Sequence, residues 1–151
     1  MFEGKLIHCS KDANLKIDTS FKLHHNIYIK MSGIWFSFDG EWIDWLEGYV
    51  GYVYEFIIDK NDFVTIDKKD NTKILVIDTV DEINEFIKQY VSDDFFGCLN
   101  KEKLSKDYGG LAFKNYEKSK CWKVFYNALD CSSGCVWNYN IIKDITLVCH
   151  M

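Results

Sequence analysis

The chain of 151 residues contains neither arginine nor proline, so all 18 of its basic side chains are lysines. Arginine is the usual fork-shaped donor to guanine edges, phosphates and buried carboxylates. Any phosphate must therefore be bound by lysine, by hydroxyl groups or by backbone N–H groups. The formal net charge of −5 also disfavours a protein that binds nucleic acid through a broad basic face.

Long hydrophobic runs are absent as well. No apolar stretch approaches the roughly 20 residues that a membrane helix requires, and Met1–Lys5 lack the apolar core of a signal peptide. We therefore expect a cytoplasmic protein that does not act on a membrane. In that compartment the six cysteines are expected to be reduced thiols rather than a disulfide framework.

The composition is typical of one folded domain. The chain is 48% hydrophobic and 17% aromatic, which is ample material for a single core. Many short strand-like segments are joined by a few helical ones, and the clearest helix begins after Thr79, a hydroxyl cap followed by acidic residues. This pattern predicts one α+β domain over residues 1–151, with two small packed antiparallel or mixed sheets and two or three short helices.

The first predicted strand, Lys5–Ser10, ends in a histidine and a serine. Because side chains alternate along a strand, His8 and Ser10 lie on the same face. Together they offer an imidazole and a hydroxyl, which suit a ribose diol or an amide. The alternative is a hydrogen-bonded core histidine at a strand end, and these two residues leave both interpretations open.

The second predicted strand opens with Gly33 and carries Trp35 and Ser37 on one face. A glycine at this position permits the close approach of a backbone or of a ligand. An indole beside a hydroxyl can stack on a planar ring while the hydroxyl binds the amide of that ring. Trp35 can equally belong to the core, so this strand also leaves two interpretations open.

Taken together, the two strands resemble the amino-terminal part of the ADP-ribosyltransferase superfamily. The residues that carry the resemblance are His8-Cys9-Ser10, Asn14-Leu15 and Gly33-Ile34-Trp35-Phe36-Ser37, with Tyr108-Gly109-Gly110-Leu111 similar to a later strand entry. The resemblance covers about the first quarter of the chain. In the branch with a His–Tyr–Glu triad, the histidine contacts the nicotinamide ribose and the aromatic residue stacks on the nicotinamide.

The resemblance implies the fold of that superfamily and NAD-dependent transfer of ADP-ribose to a macromolecule. His8 would hold the ribose and Trp35 would take the place of the stacking tyrosine. The cofactor-binding residues that it implies are His8, Cys9, Ser10, Gly33, Trp35, Ser37 and Ser133. NAD and an acceptor are the expected partners, and the acidic net charge favours a protein acceptor over a long nucleic acid.

The chain departs from the family pattern at the glutamate of the triad. The best match is Ser133-Gly134-Cys135-Val136-Trp137, where Ser133 takes the place of the glutamate and supplies no carboxylate. Asp130 is the candidate substitute, which would stabilise the positive charge that develops during transfer. The alternative is a non-catalytic NAD-binding or protein-interaction module. No metal site is predicted, because Cys131 and Cys135 lack a positioned second pair of ligands.

Overall fold

The computed structural model describes residues 4–17, 33–41, 43, 49–91, 99–114 and 132–151. Within these residues the chain forms eight strands and two α-helices. The strands are β1 (Leu6–Ser10), β2 (Ile34–Phe38), β3 (Tyr52–Ile57), β4 (Phe63–Val64), β5 (Asp70–Ile77), β6 (Tyr108–Phe113), β7 (Ser133–Val136) and β8 (Asp144–His150). The helices are α1 (Val80–Tyr90) and α2 (Lys101–Asp107). The predicted α+β class is confirmed.

The described strands form one sheet in the order β4-β5-β6-β7-β2-β1-β3-β8. Strands β4, β5 and β6 run parallel to one another, and the remaining pairs are antiparallel. The prediction of two separate sheets is wrong, because β7 pairs with β6 on one side and with β2 on the other. Alternation within a strand could not reveal this, since it identifies faces and not neighbours.

Helix α1 begins where the sequence predicted. The Thr79 hydroxyl accepts a hydrogen bond from the Glu82 N–H, and the Glu82 carboxylate accepts one from the Thr79 N–H. This capping box satisfies two N–H groups that a helix otherwise leaves unpaired. The apolar stripe of Ile83, Phe86 and Tyr90 is buried in the core on one face of the sheet.

Two apolar cores cover the opposite faces of the sheet. The helix face, covered by α1, includes Leu75, Ile77, Leu111, Phe113 and Cys135. The Phe36 face includes Phe36, Phe56, Ile74, Ala112 and Val136. A Cβ on Gly134 would lie 2.5 Å from the Phe36 ring, so the absence of a side chain there lets the ring lie over β7. Each residue of β1 and β2 therefore belongs to one of two distinct environments.

Candidate functional site

Strands β1 and β2 pair over only part of their length. In the described part of the chain, their pairing joins Leu6 to Phe38 and Ile7 to Ser37 and stops there. Strand β1 continues to Ser10 and is paired there with β3. Strand β2 begins at Ile34 and is paired there with β7. We call the unpaired part of the two strands, residues 8–10 and 34–36, the β1–β2 seam.

His8 occupies the seam. Its Nδ1 donates a hydrogen bond to the main-chain oxygen of Trp35 at 2.6 Å. The imidazole also stacks on Phe56, with ring centroids 5.3 Å apart and an interplanar angle of 22°. Continued pairing would set Cys9 opposite Trp35, so the imidazole bonds to a carbonyl that a ladder hydrogen bond would otherwise use.

The protonation of His8 follows from these contacts. Burial lowers the pKa of His8 below its ordinary value, and the hydrogen bond to Trp35 opposes this with a smaller effect. The neutral ring keeps its one proton on Nδ1, because the Trp35 carbonyl can only accept. The other ring nitrogen, Nε2, is then an acceptor at neutral pH and suits the hydroxyl of a sugar.

The rings of His8 and Trp35 extend to opposite faces of the sheet. His8 shares a face with Leu6, which lies opposite Phe38, whereas Trp35 alternates with Phe36 and Phe38. The imidazole accordingly stacks on an aromatic ring of the Phe36 face, and the indole packs against the core of the helix face. The seam brings the two residues together through the main chain of Trp35 and not through stacked rings.

Four of the sequence-predicted residues share the helix face: Cys9, Trp35, Ser37 and Ser133. Ser37 lies directly opposite Ser133 across β2 and β7, and both are fully buried. Among the described residues, the Ser37 Oγ is the buried side-chain oxygen that has no hydrogen-bond partner. An unpaired buried hydroxyl is costly to the fold, and the Ser37 Oγ carries that cost in the interior of the protein.

Ser10 and Gly33 have local roles of their own. The Ser10 Oγ accepts a hydrogen bond from the Asp12 N–H at 3.0 Å, which forms the turn after β1, and its own proton remains a donor. Gly33 has a φ of 150°, and a Cβ there would lie 2.4 Å from the Val136 oxygen. The sequence predicted that Gly33 permits the close approach of a backbone or of a ligand, and in the structure it is the backbone of Val136 that comes close.

The carboxylate predicted for the site, Asp130, lies outside the described residues, as does Cys131. The sequence analysis did not single out Glu41, whose Oε2 accepts a hydrogen bond from the Ser132 N–H at 2.8 Å. This contact lies where Phe38 meets Ser132, about 10 Å along β2 from Trp35. Glu41 therefore holds the start of β7 outside the seam, next to the paired part of β1 and β2, and no local pattern signals a contact across 91 positions.

A second group that the sequence analysis missed lies at the end of β1. The Tyr49 hydroxyl donates to the main-chain oxygens of Ser10 and Tyr52, at 3.0 and 3.2 Å. The Lys11 ammonium lies 5.0 Å from the centre of the Tyr49 ring and donates to the Val50 oxygen. Lys11 and Tyr49 lie far apart in the chain, so no local sequence pattern indicates this arrangement.

Comparison with known proteins gave no relative: no family model, no curated protein and no solved structure matches this chain. In the described ranges, neither helix has the length and apolar character needed to cross a bilayer. The function is therefore inferred from the chemistry of the seam residues themselves.

Proposed function

We propose that this chain binds NAD at the β1–β2 seam and transfers its ADP-ribosyl group to a protein. The observation that supports this most directly is the neutral imidazole of His8, fixed through Nδ1 to the Trp35 carbonyl with Nε2 left as an acceptor. When bound, NAD supplies an ADP-ribosyl group: its bond to nicotinamide breaks, the acceptor's nucleophile bonds to the ribose carbon, and nicotinamide leaves.

On the Phe36 face of the seam, His8 orients the ribose. Its Nε2 accepts a hydrogen bond from a ribose hydroxyl, and the stack on Phe56 keeps the ring from turning away. Ser10, two residues further along β1 on the same face, donates its remaining hydroxyl proton. Both groups are uncharged, which suits a sugar better than a phosphate.

On the helix face, Trp35 and Ser37 recognise the nicotinamide. The indole is only partly buried and offers a flat apolar surface for a planar ring. The unpaired Ser37 Oγ lies two residues along the same strand and pairs with the carboxamide. The fit to NAD thus rests on a buried hydroxyl that has no partner among the described residues.

The charge that develops on the ribose requires a carboxylate, which Ser133 does not supply. On sequence grounds we assign this role to Asp130, three residues before Ser133. Its carboxylate would stabilise the positively charged ribose electrostatically as the nicotinamide bond lengthens.

The serine at position 133 favours one alternative function. A chain that binds NAD without the triad carboxylate would act as a non-catalytic NAD-binding or protein-interaction module. Binding and transfer are therefore measured separately.

The test uses a matched pair of histidine variants. His8→Phe keeps a ring on Phe56 but removes the Nε2 acceptor, and His150→Phe makes the same exchange at a histidine stacked on Tyr52, with centroids 4.3 Å apart. NAD binding is measured by calorimetry. Transfer is measured as label from NAD incorporated into proteins of a cell lysate.

We expect the wild type and His150→Phe to bind NAD and to label protein, and His8→Phe to lose at least tenfold in both measurements. Saturable binding with no transfer by the wild type would establish the module instead. If the wild type does not bind NAD, or if His8→Phe binds it as tightly as the wild type does, the proposal fails.

A further inference from the structure

Lys11 is anchored without an acidic partner among the described residues, as is Lys103, whose ammonium lies 5.1 Å from the centre of the Tyr90 ring and donates to the Gln89 oxygen. Five lysines of the described residues form ion pairs: Lys5, Lys69, Lys73, Lys106 and Lys143. In the same part of the chain, no carboxylate lies within 4.0 Å of the Lys11 ammonium. Among the described residues, its ammonium contacts neutral groups, the Val50 carbonyl and the face of the Tyr49 ring. Its positive charge is therefore held in place and is not neutralised by a carboxylate of the described residues.

Tyr49 is itself fixed by the ends of two strands. Its hydroxyl donates to the oxygens of Ser10 in β1 and Tyr52 in β3. Gly51, with a φ of 157°, leaves room for it, since a Cβ there would lie 2.4 Å from the Tyr49 Oη. The ring is thus a rigid support, and a cation over its face is attracted by the π electrons.

The Tyr49 ring lies on the same face of the sheet as the Trp35 indole. Position 51 shares its face with Val53, and Val53 pairs with Cys9. The Tyr49 hydroxyl lies over position 51, where a Cβ would be 2.4 Å from it. Lys11, over that phenol, therefore belongs to the helix face, as do Cys9 and Trp35.

Lys11 lies close to the seam along β1. Continued pairing sets Cys9 opposite Trp35, and Lys11 is two residues further on, or about 7 Å of extended chain. The chain has no arginine, so a lysine must meet a phosphate of the ligand if a side-chain cation is used.

We propose that Lys11, supported by Tyr49, is the binding group for the diphosphate of the ligand. This assignment rests on the proposed function for the identity of the ligand as NAD. It also makes a claim of its own, that the end of β1 binds diphosphate esters and inorganic pyrophosphate.

The test compares Lys11→Gln with Lys16→Gln, which removes another exposed lysine with no ion pair in the described residues. Binding of four probes is measured by calorimetry: NAD, ADP-ribose, inorganic pyrophosphate and nicotinamide riboside, which has no diphosphate. Thermal unfolding checks that each variant is folded.

We expect Lys11→Gln to weaken NAD, ADP-ribose and pyrophosphate about tenfold, as the loss of one charge-assisted hydrogen bond would. Nicotinamide riboside should bind unchanged, and Lys16→Gln should behave as the wild type. Added salt should weaken pyrophosphate binding in the wild type more than in Lys11→Gln.

Two outcomes separate this inference from the proposed function. If Lys11→Gln binds ADP-ribose and pyrophosphate as tightly as the wild type, or if the wild type binds neither, the assignment of Lys11 is overturned, whatever the His8 variants show. If the wild type binds pyrophosphate through Lys11 but does not bind NAD, the anion site stands and the proposed function is overturned.

Discussion

Replacing Ser37 with alanine should stabilise the folded protein and weaken NAD binding at the same time. The Ser37 side chain is fully buried, and its Oγ has no hydrogen-bond partner in the part of the chain that the structure describes. Burying an unpaired hydroxyl costs about 1–3 kcal/mol. Alanine removes that cost but leaves a small void, so we expect a net gain of about 1 kcal/mol. In a chain of 151 residues this corresponds to a rise in Tm of about 2–4 °C.

The same substitution removes the group assigned to the nicotinamide carboxamide. Loss of one neutral hydrogen bond should weaken NAD about fivefold. A substitution that raises stability but lowers ligand affinity is typical of a group that destabilises the fold and is needed for binding. A residue that merely fills the core would change both in the same direction or change stability alone.

The assays are thermal unfolding without ligand and calorimetric titration with NAD. Ser133→Ala is the control for stability, because Ser133 is equally buried, faces Ser37 and is not without a partner. We expect that variant to lower the Tm. A lower Tm for Ser37→Ala, or a higher Tm with unchanged NAD affinity, would refute the reasoning.

Three further predictions concern the fold around the seam. Burial lowers the pKa of His8, so as the pH falls the unfolded chain takes up a proton near pH 6.5, before the folded chain does. The free energy of unfolding, measured by urea titration, should therefore fall as the pH drops below that value. The fall should be smaller in His8→Phe. Thr79→Ala should lose about 1 kcal/mol in the same assay by removing the cap of α1, and an unchanged midpoint would contradict the capping box. Gly134→Ala should cost about 1–3 kcal/mol, because its Cβ would meet the Phe36 ring, and wild-type stability would mean that this ring moves aside freely.

Local chemistry determined the parts of this structure that the sequence could predict. The hydroxyl of Thr79 and the acids after it specify where α1 begins, because they satisfy N–H groups within a few residues. Alternation likewise places His8 with Ser10, and Trp35 with Ser37, on one face of their own strands. These features depend on neighbours in the chain and need no knowledge of the fold.

Tertiary structure decided how those faces relate to each other. The pairing of β7 with two strands made one sheet of the two that were predicted, and the end of the pairing between β1 and β2 left the seam unpaired. The bond from His8 to the Trp35 carbonyl spans 27 positions, and the lack of a partner for Ser37 depends on every group packed around it. Hydrogen bonds and burial between distant segments are properties of the register between strands, which no single strand encodes.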